Sequence, residues 1–365
     1  MVSTSDSFVQ SSPADVAVSP PRPSASYGAD LVTVLLGVWF TAGLMLDAWA
    51  HNNKPELETF FTPWHAVFYS GFAATAGWIA WTSRGALRSG PRAIPTGYAP
   101  ALVAVAGFAV AGFGDFVWHT AFGIEQSIDI LFSPTHLGLA TTMLVIVTAP
   151  LRSALGDRSL PPAPGLVRLL PAILPMALGA ALVLLFLQYA NAFDFDSERI
   201  VAALSTVDES LTARWVSAMA VTNLVLIVPV LTLARRWRPP FGAITIIYTF
   251  VAGLCGAITN FESPELIIGL VAAGGCADLL AGWLRPTPER LTQFRAFAAL
   301  TPLVTWSIYI AAAYLAAPPA ESATGFAGSH PEALIEIYTG APIVQALIGL
   351  LVAMLLVPRQ QARTP

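Results

Sequence analysis

Ten apolar segments of about 20 residues recur along the chain, separated by short stretches that contain most of its polar residues. A helix of about 20 apolar residues is long enough to cross the ~30 Å hydrocarbon core of a membrane. The backbone must satisfy its own hydrogen bonds there, so such segments are helical. The pattern predicts an all-α, polytopic membrane helical bundle of about ten transmembrane helices. The predicted helices span residues 30–51, 63–83, 97–121, 134–154, 168–190, 213–234, 240–259, 264–284, 294–316 and 334–357.

Basic residues are distributed unevenly between the two sets of loops. Of the 18 lysines and arginines, 15 lie in the tails or around the loops that follow the even-numbered helices. The other three, Lys54, Arg199 and Arg214, lie in the opposite loops. Loops rich in Lys and Arg stay in the cytoplasm. Both termini are therefore predicted to be cytoplasmic, in agreement with an even number of crossings.

Composition narrows the class of protein further. The chain is 55% hydrophobic and 11% charged, whereas soluble domains have about 25% charged residues. With a net charge of -4 and no basic tract, nucleic acid is not an expected partner. Cys255 and Cys276 lie in apolar segments and form no CxxC motif, which argues against disulfides and a thiolate metal site. We expect a multi-pass protein of the cell (inner or plasma) membrane, in contact with the lipid bilayer; partner subunits or a homo-oligomer are left open.

Four of the five histidines belong to a sequence motif that occurs twice. The first copy contains 47-DAWAH-51 and 58-ETFFTPWH-65, and the second contains 115-DFVWH-119 and 129-DILFSPTH-136. Each copy is a helix that ends in Asp-x-x-x-His, an outer loop, and a helix that begins with Ser/Thr-Pro-x-His. Ser or Thr before Pro is a helix start, because the side chain caps the helix and Pro suits its first position. Each copy thus predicts a helical hairpin with its polar residues at the outer end.

The residue types and their spacing predict a metal site. Asp and His four positions apart lie on one face of a helix. The neutral imidazole favoured at a helix N-terminus is also the form that binds metal. Ionisable groups inside a membrane are costly and mark functional sites. Side by side, the hairpins would form one dinuclear or two mononuclear sites near the outer surface. The predicted ligands are Asp47, His51, His65, Asp115, His119 and His136.

The repeat also divides the chain. Residues 1–28 form a polar tail, predicted to be disordered and cytoplasmic. Residues 29–155 contain the two copies of the predicted metal-binding hairpin. Residues 156–358 contain the remaining six helices. A second cytoplasmic tail follows at 359–365.

Several other acidic residues and the fifth histidine are expected on the outer side. They would supply outer-shell ligands or line an entrance, or they would simply be solvated loop residues and helix caps; the sequence leaves both interpretations open. These residues are Glu58, Asp129, Glu262, Glu265 and His330. Asp278 lies deep in a predicted helix, where it would be a proton relay or a helix-pairing residue.

Ligands of His and carboxylate type, without sulfur, suit copper(II), zinc, iron(II) or manganese(II). Copper is the first expectation and zinc the second. The absence of Cys or Met clusters on the outer side argues against a copper(I) relay.

Asp-x-x-x-His near a helix end, followed by a further His, resembles the metal-binding motif in the membrane C-subunit of the particulate methane and ammonia monooxygenases. The first copy, with 13 residues between its histidines, is close to that pattern, and the second, with 16, fits it more loosely. In that family Asp, His and His bind a single copper or zinc ion in the membrane. The resemblance covers about thirty residues of each copy, and the duplication departs from the family. It implies a membrane Asp/His metal site and oxidative chemistry on a small or lipophilic substrate.

Two other classes of function remain open. His, Asp and Ser near one membrane face are similar to the groups of membrane metallohydrolases such as the alkaline ceramidases, which implies a zinc-dependent hydrolase. A metal uptake, storage or transport protein would use the same ligands as an outer vestibule. A transporter should have polar residues that continue through the membrane, and the few candidates are Asp278, Gln188, Asn223 and Gln345.

Overall fold

The computed structural model describes residues 22–54, 61–123, 128–205, 209–317 and 335–358. These residues form helices, joined by short connections, and contain no strand, so the predicted all-α class is confirmed. The helices are α1 (Tyr27–Asn53), α2 (Pro63–Thr82), α3 (Ala86–Ser89), α4 (Ala99–Phe122), α5 (Pro134–Val147), α6 (Ala149–Gly156), α7 (Leu166–Phe186), α8 (Ser197–Ser205), α9 (Glu209–Arg236), α10 (Ala243–Ile258), α11 (Pro264–Leu284), α12 (Leu291–Ala316) and α13 (Ile335–Leu356).

Eight helical stretches in the described part of the chain are long and apolar enough to cross a membrane. They are α1, α4, α5 together with α6, α7, α9, α11, α12 and α13. Every predicted segment coincides with a helix, but α2 is not among the eight and α10 has only 16 residues. The chain is thus a multi-pass membrane protein, with eight of the ten predicted crossings supported by length and composition.

The outside of the bundle is apolar, as a lipid-facing surface must be. Large side chains that are more than half exposed include Leu35, Val103, Phe113, Leu347 and Leu355. A soluble monomer rarely exposes so much apolar surface. Lipid chains would cover these side chains in the membrane.

The first repeat folds into the predicted hairpin, in which α1 and α2 are in close contact. A Cβ atom on Gly71 would lie 2.7 Å from the Cα of Phe40, and one on Gly43 would lie 2.9 Å from the Cα of Phe68. Only glycine allows the two backbones to approach so closely. This contact fixes the separation of the helices that present Asp47 and His65.

The two hairpins meet through residues at equivalent positions of the repeat. Phe40 and Phe108 each precede the Asp of their copy by seven residues, and their rings pack edge to face with centroids 5.1 Å apart. Asp30 and Tyr98 each precede it by seventeen, and the Tyr98 hydroxyl donates a hydrogen bond of 2.7 Å to Asp30 Oδ1. Contacts between equivalent residues are typical of a local two-fold axis. The hairpins therefore present their outer ends side by side.

The buried apolar side chains form two main cores. One lies around α1, α2, α4 and α5, and the larger one lies around α7 to α13. Helix α7 contributes Leu178 and Leu182 to the first core and Ile173 and Ala177 to the second. The boundary predicted between residues 155 and 156 falls at the C-terminal end of α6, the last helix before α7. Of the predicted tails, residues 1–21 and 359–365 lie outside the described part of the chain.

Asp278 caps a neighbouring helix. Its carboxylate accepts hydrogen bonds from the backbone N–H groups of Ile244 and Thr245, both at 3.0 Å, and from Thr245 Oγ1 at 2.6 Å. These donors belong to the first turn of α10, whose own N-cap, Gly242, supplies no side chain. A carboxylate at a helix N-terminus satisfies orphan donors and complements the helix dipole. This supports the helix-pairing interpretation of Asp278.

We expect Asp278→Ala to lower the free energy of unfolding by roughly 1–3 kcal/mol, because it removes a charged acceptor and leaves buried donors without a partner. Thermal unfolding in detergent would measure this. Thr245→Val removes one of the three bonds and should cost less. Equal stability of Asp278→Ala and the wild type would contradict the capping role.

Asn223, another intramembrane polar residue, also has structural partners. Trp306 Nε1 donates a 3.2 Å hydrogen bond to Asn223 Oδ1, and Asn223 Nδ2 donates one of 3.1 Å to the backbone carbonyl of Gln345. This buried network joins α9, α12 and α13, which accounts for the Asn223 amide without a transport pathway.

Candidate metal centre

The first Asp/His group forms where α1 ends and α2 begins. Thr62 caps α2 by accepting a 3.1 Å hydrogen bond from the His65 N–H, which places His65 in the first turn. Asp47 Oδ2 lies 3.4 Å from His65 Nε2 and 3.9 Å from His51 Nε2. Asp47 and His65 are buried, and His51 is half-buried. The sequence repeat therefore brings together all three residues predicted for this copy.

The second group has the same plan at the junction of α4 and α5. Ser133 caps α5 by accepting a 3.3 Å hydrogen bond from the His136 N–H. Asp115 Oδ1 lies 3.2 Å from His136 Nε2 and 3.5 Å from His119 Nε2. In each group, one ligand atom from each residue lies within 4.8 Å of the others.

Backbone and hydroxyl groups orient the second group. His136 Nδ1 lies 2.7 Å from the carbonyl oxygen of Ile130, which can only accept, so Nδ1 carries the proton and Nε2 turns toward Asp115. His119 Nδ1 makes a longer contact of 3.4 Å with the Gly123 carbonyl. Thr135 Oγ1 donates a 3.0 Å hydrogen bond to Asp115 Oδ1. Metal-ligating histidines commonly use their second nitrogen in this way.

The donor sets fit a metal ion. Two ligand atoms that are each about 2.1 Å from an ion, at a tetrahedral angle, lie about 3.4 Å apart. The four Nε2–Oδ distances span 3.2 to 3.9 Å. An unprotonated Nε2 that faces a carboxylate oxygen, as in neutral His136, is unfavourable unless the ring gains a proton or a metal cation lies between the two atoms. Asp47 Oδ1 is likewise buried with no hydrogen-bond partner in the described part of the chain, a cost that a bound cation would relieve.

Both groups open into the same cavity, which has a volume of about 80 Å³. The polar part of its wall comprises Asp47, His51, Asn52, His65, Tyr69, Asp115, His136 and Gln188. The rest is apolar and consists of Leu44, Ala48, Phe68, Ile130, Leu131, Leu139, Ala140, Met143, Leu185 and Phe186. A molecule in this cavity would meet both groups at once, in a mainly apolar environment.

Tyr69 is a residue of this cavity that the sequence did not reveal. It follows His65 by one helical turn, and the two rings have centroids 6.2 Å apart. Its ring also packs against α4, where a Cβ on Gly112 would lie 3.1 Å from Tyr69 Cε1. The repeat gives no signal for it, because Ala140 occupies the equivalent position in the second copy.

Asn260 is a second residue that only the fold could reveal. Its Oδ1 accepts a 2.6 Å hydrogen bond from Trp49 Nε1, and its Nδ2 donates a 2.9 Å bond to Asn53 Oδ1. Asn260 and Phe261 both have a φ of 54°, in the left-handed region that Asn tolerates better than most residues. The connection between α10 and α11 is thereby fixed to the last turn of α1, on both sides of His51.

Of the residues predicted as outer ligands, the two whose side chains the structure describes do not complete either group. Glu265 accepts a hydrogen bond from Ser197 of α8, and Glu262 is exposed in the connection before α11. In the described part of the chain, neither belongs to an Asp/His cluster. Glu58 and His330 lie outside the described residues, as does the side chain of Asp129.

Comparisons with protein-family models, with curated proteins and with solved structures find no match to this chain. Fold and site together define a multi-pass membrane protein with two convergent His/His/Asp groups on one cavity.

Proposed function

We propose that this chain is an integral membrane metalloprotein that binds metal ions in its two Asp/His/His groups, near the outer face. One observation carries the proposal. Twice in the chain, two imidazole Nε2 atoms converge on one buried carboxylate at distances of 3.2 to 3.9 Å, which suits ligands of a single ion. Local helix capping alone does not require this convergence.

Copper is the favoured metal and zinc the second, because the groups combine imidazole and carboxylate without sulfur. A bound copper would supply one-electron redox chemistry, and a zinc would supply a Lewis acid. The chain itself holds three ligands in each group, and the apolar cavity wall limits access of water. The hydroxyl of Tyr69 can donate a hydrogen bond to a molecule in the cavity. These properties favour oxidative chemistry on a small or lipophilic substrate.

A zinc-dependent hydrolase is the second candidate, since the same cavity and ligands would serve it. Metal transport is less well supported, because an aromatic layer lies on the inner side of the groups. Phe72 and Phe108 stack with centroids 4.2 Å apart, and Phe40 and Phe68 with centroids 5.3 Å apart. This layer fills the space between the hairpins and favours a site that retains its ions.

We also propose ten membrane crossings, with both termini in the cytoplasm. The two hairpins have the same orientation only if α2 crosses the membrane, and its 20 residues span about 30 Å. Helix α10 packs between α7 and α11, so it lies in the same layer as helices that cross. The excess of Lys and Arg on one set of loops supports the orientation.

Metal analysis of the protein purified in lipid nanodiscs tests the proposed function. After loading with copper or zinc and dialysis, we expect a stoichiometric metal content. A copper(II) electron paramagnetic resonance signal that disappears when a lipophilic electron donor reduces the ion would support the oxidative function. Zinc retained in preference to copper would favour the hydrolase, and metal flux into proteoliposomes would favour transport. Failure to retain either metal would contradict the proposal.

Thr135→Val should weaken metal binding at the second group roughly 10- to 100-fold, because the variant removes a hydrogen bond that orients a ligand. Titration with a competing chelator would measure the affinity of each group. Thr142→Val is the matched control, since the Thr142 hydroxyl bonds only to carbonyls of its own helix. An equal loss of affinity in both variants would show that Thr135 has no specific role.

A further inference from the structure

A second cavity adjoins the metal cavity on its outer side. It has a volume of about 480 Å³, and it is lined by the α7–α8 connection and by the outer ends of α8 and α9. The two cavities share the wall residues His51, Asn52, Ile130, Leu131 and Gln188. A molecule could therefore extend from one into the other past His51.

The outer cavity is cationic. Arg199 of α8 and Arg214 of α9 both line it and are exposed. Among the described residues, neither arginine forms an ion pair with a carboxylate. Only three basic residues lie in the predicted outer loops, and two of them are at this entrance.

Among the described residues that line this cavity, Asp194 is the only one with a carboxylate. Burial raises its pKa to about 7, although Arg199 nearby acts in the opposite direction. A large fraction of Asp194 is therefore neutral at pH 7, and it does not cancel the charge of two arginines. The described lining of the entrance therefore has more positive than negative charge, directly outside an apolar cavity.

We propose that the two cavities together form a binding site for an amphiphile with an acidic head group. Arg199 and Arg214 hold the carboxylate or phosphate head, and the apolar tail extends from the outer cavity past His51 into the inner one. Guanidinium groups suit this role, because their planar donors match carboxylate and phosphate oxygens. The inference rests on the proposed function, since it names the substrate class for the same site. When the acidic head group binds the arginines, the apolar tail of the amphiphile, and not its head group, lies against the Asp/His groups.

Equilibrium dialysis of radiolabelled decanoate tests the inference, with the metal-loaded full chain in phosphatidylcholine nanodiscs and empty discs as the background. Arg199→Gln/Arg214→Gln should bind decanoate on the order of tenfold more weakly than the wild type. Lys54→Gln is the matched control, because Lys54 carries the same charge but lines neither cavity. It should bind decanoate as the wild type does. Decanol, which has no charge, should bind equally to all three proteins.

Three results would overturn the inference. They are decanoate binding that does not change in the double variant, decanol binding as tight as decanoate binding, and acetate or inorganic phosphate binding as tight as decanoate binding. The last would indicate a site for free anions. Should the double variant fail to fold, Arg214→Gln alone carries the same test with a smaller expected loss.

The same samples show whether the bound acid is a lipid or a free molecule. They also show whether the metal site and the amphiphile site fail independently. Displacement of decanoate by phosphatidylglycerol in the discs would assign the head group to an anionic lipid, and no displacement would assign it to a free acid. Both outcomes retain the amphiphile site. If the protein binds decanoate in an arginine-dependent way but retains no metal, only the proposed function is contradicted. If the protein retains metal but its decanoate binding does not depend on the arginines, only the amphiphile site is contradicted.

Discussion

Asp115→Asn is expected to leave the metal-free protein at least as stable as the wild type and to abolish the stability that metal adds at the second group. Asp115 is only 2% exposed, and an amide of the same shape removes a buried carboxylate that is costly to desolvate. The amide oxygen can still accept the hydrogen bond from Thr135. The variant lacks the anionic ligand, however, so a metal ion loses its main charge partner. Thermal unfolding with a chelator and with excess metal measures both effects.

The magnitude follows from linkage between binding and folding. Metal at about 100 times its dissociation constant stabilises each occupied site by about 2.7 kcal/mol. Asp115→Asn should lose this increment at one group and keep it at the other. A loss of stability in the metal-free Asp115→Asn variant would also be informative. If Asp115 served only as the partner of an imidazolium, breaking that buried pair would destabilise the metal-free protein by about 3–5 kcal/mol.

Gly71→Ala is expected to remove metal from the first group while the second group keeps it. The new Cβ would lie 2.7 Å from the Cα of Phe40, and backbone cannot yield as a side-chain tip can. Helices α1 and α2 must separate, at a cost of roughly 1–3 kcal/mol. Asp47 and His65 lie on these two helices, and ligand geometry tolerates only about 0.5 Å of error. Chelator titration and thermal unfolding would follow both losses.

Gly77→Ala is the matched control, since Gly77 lies on the same helix and a Cβ atom added there would meet no neighbour within 4 Å in the described part of the chain. The change from Gly to Ala inside a helix should slightly stabilise the protein, by up to about 1 kcal/mol. Loss of metal in both variants would show that the effect is unrelated to helix separation. Retention in both would show that the first group does not depend on the close contact.

The hairpins could be predicted from the sequence because their signals are local. Thr62-Pro63 and Ser133-Pro134 predict two helix starts, and Pro63 and Pro134 are the first residues of α2 and α5. Asp-x-x-x-His spacing places two ligands on one helical face whatever the tertiary structure. The convergence of each set of three residues follows from these short-range features and from the hairpin.

Other features depend on packing, which leaves no local signature. Tyr69 lines the cavity because α2 meets α4 at Gly112, and Asn260 reaches the end of α1 from the far half of the chain. The amphipathic helix α8 is too short and too polar for the apolar pattern that revealed the spans. Glu265 resembles an outer ligand in sequence, but Ser197 is its partner in the fold.

The two groups also differ in ways that the repeat conceals. In the second copy, the Ile130 carbonyl of a short 3₁₀ helix, Ile128–Phe132, orients His136. The equivalent position of the first copy, Thr59, lies outside the described residues. Thr135 supports Asp115, whereas Trp64 occupies the equivalent position in the first copy. Among the described residues, Asp115 thus has a hydroxyl that orients it, whereas Asp47 Oδ1 has no hydrogen-bond partner. We therefore expect the second group to bind metal more tightly.

The metal content per chain is the most direct test of the central claim. It should be measured by mass spectrometry for the wild type, His65→Ala, His136→Ala and the double variant, with Gly77→Ala as the matched control. Two groups of ligands predict two ions in the wild type and in the control, one in each single variant and none in the double variant. A wild type without stoichiometric metal, or a double variant with the same content as the wild type, would contradict the account.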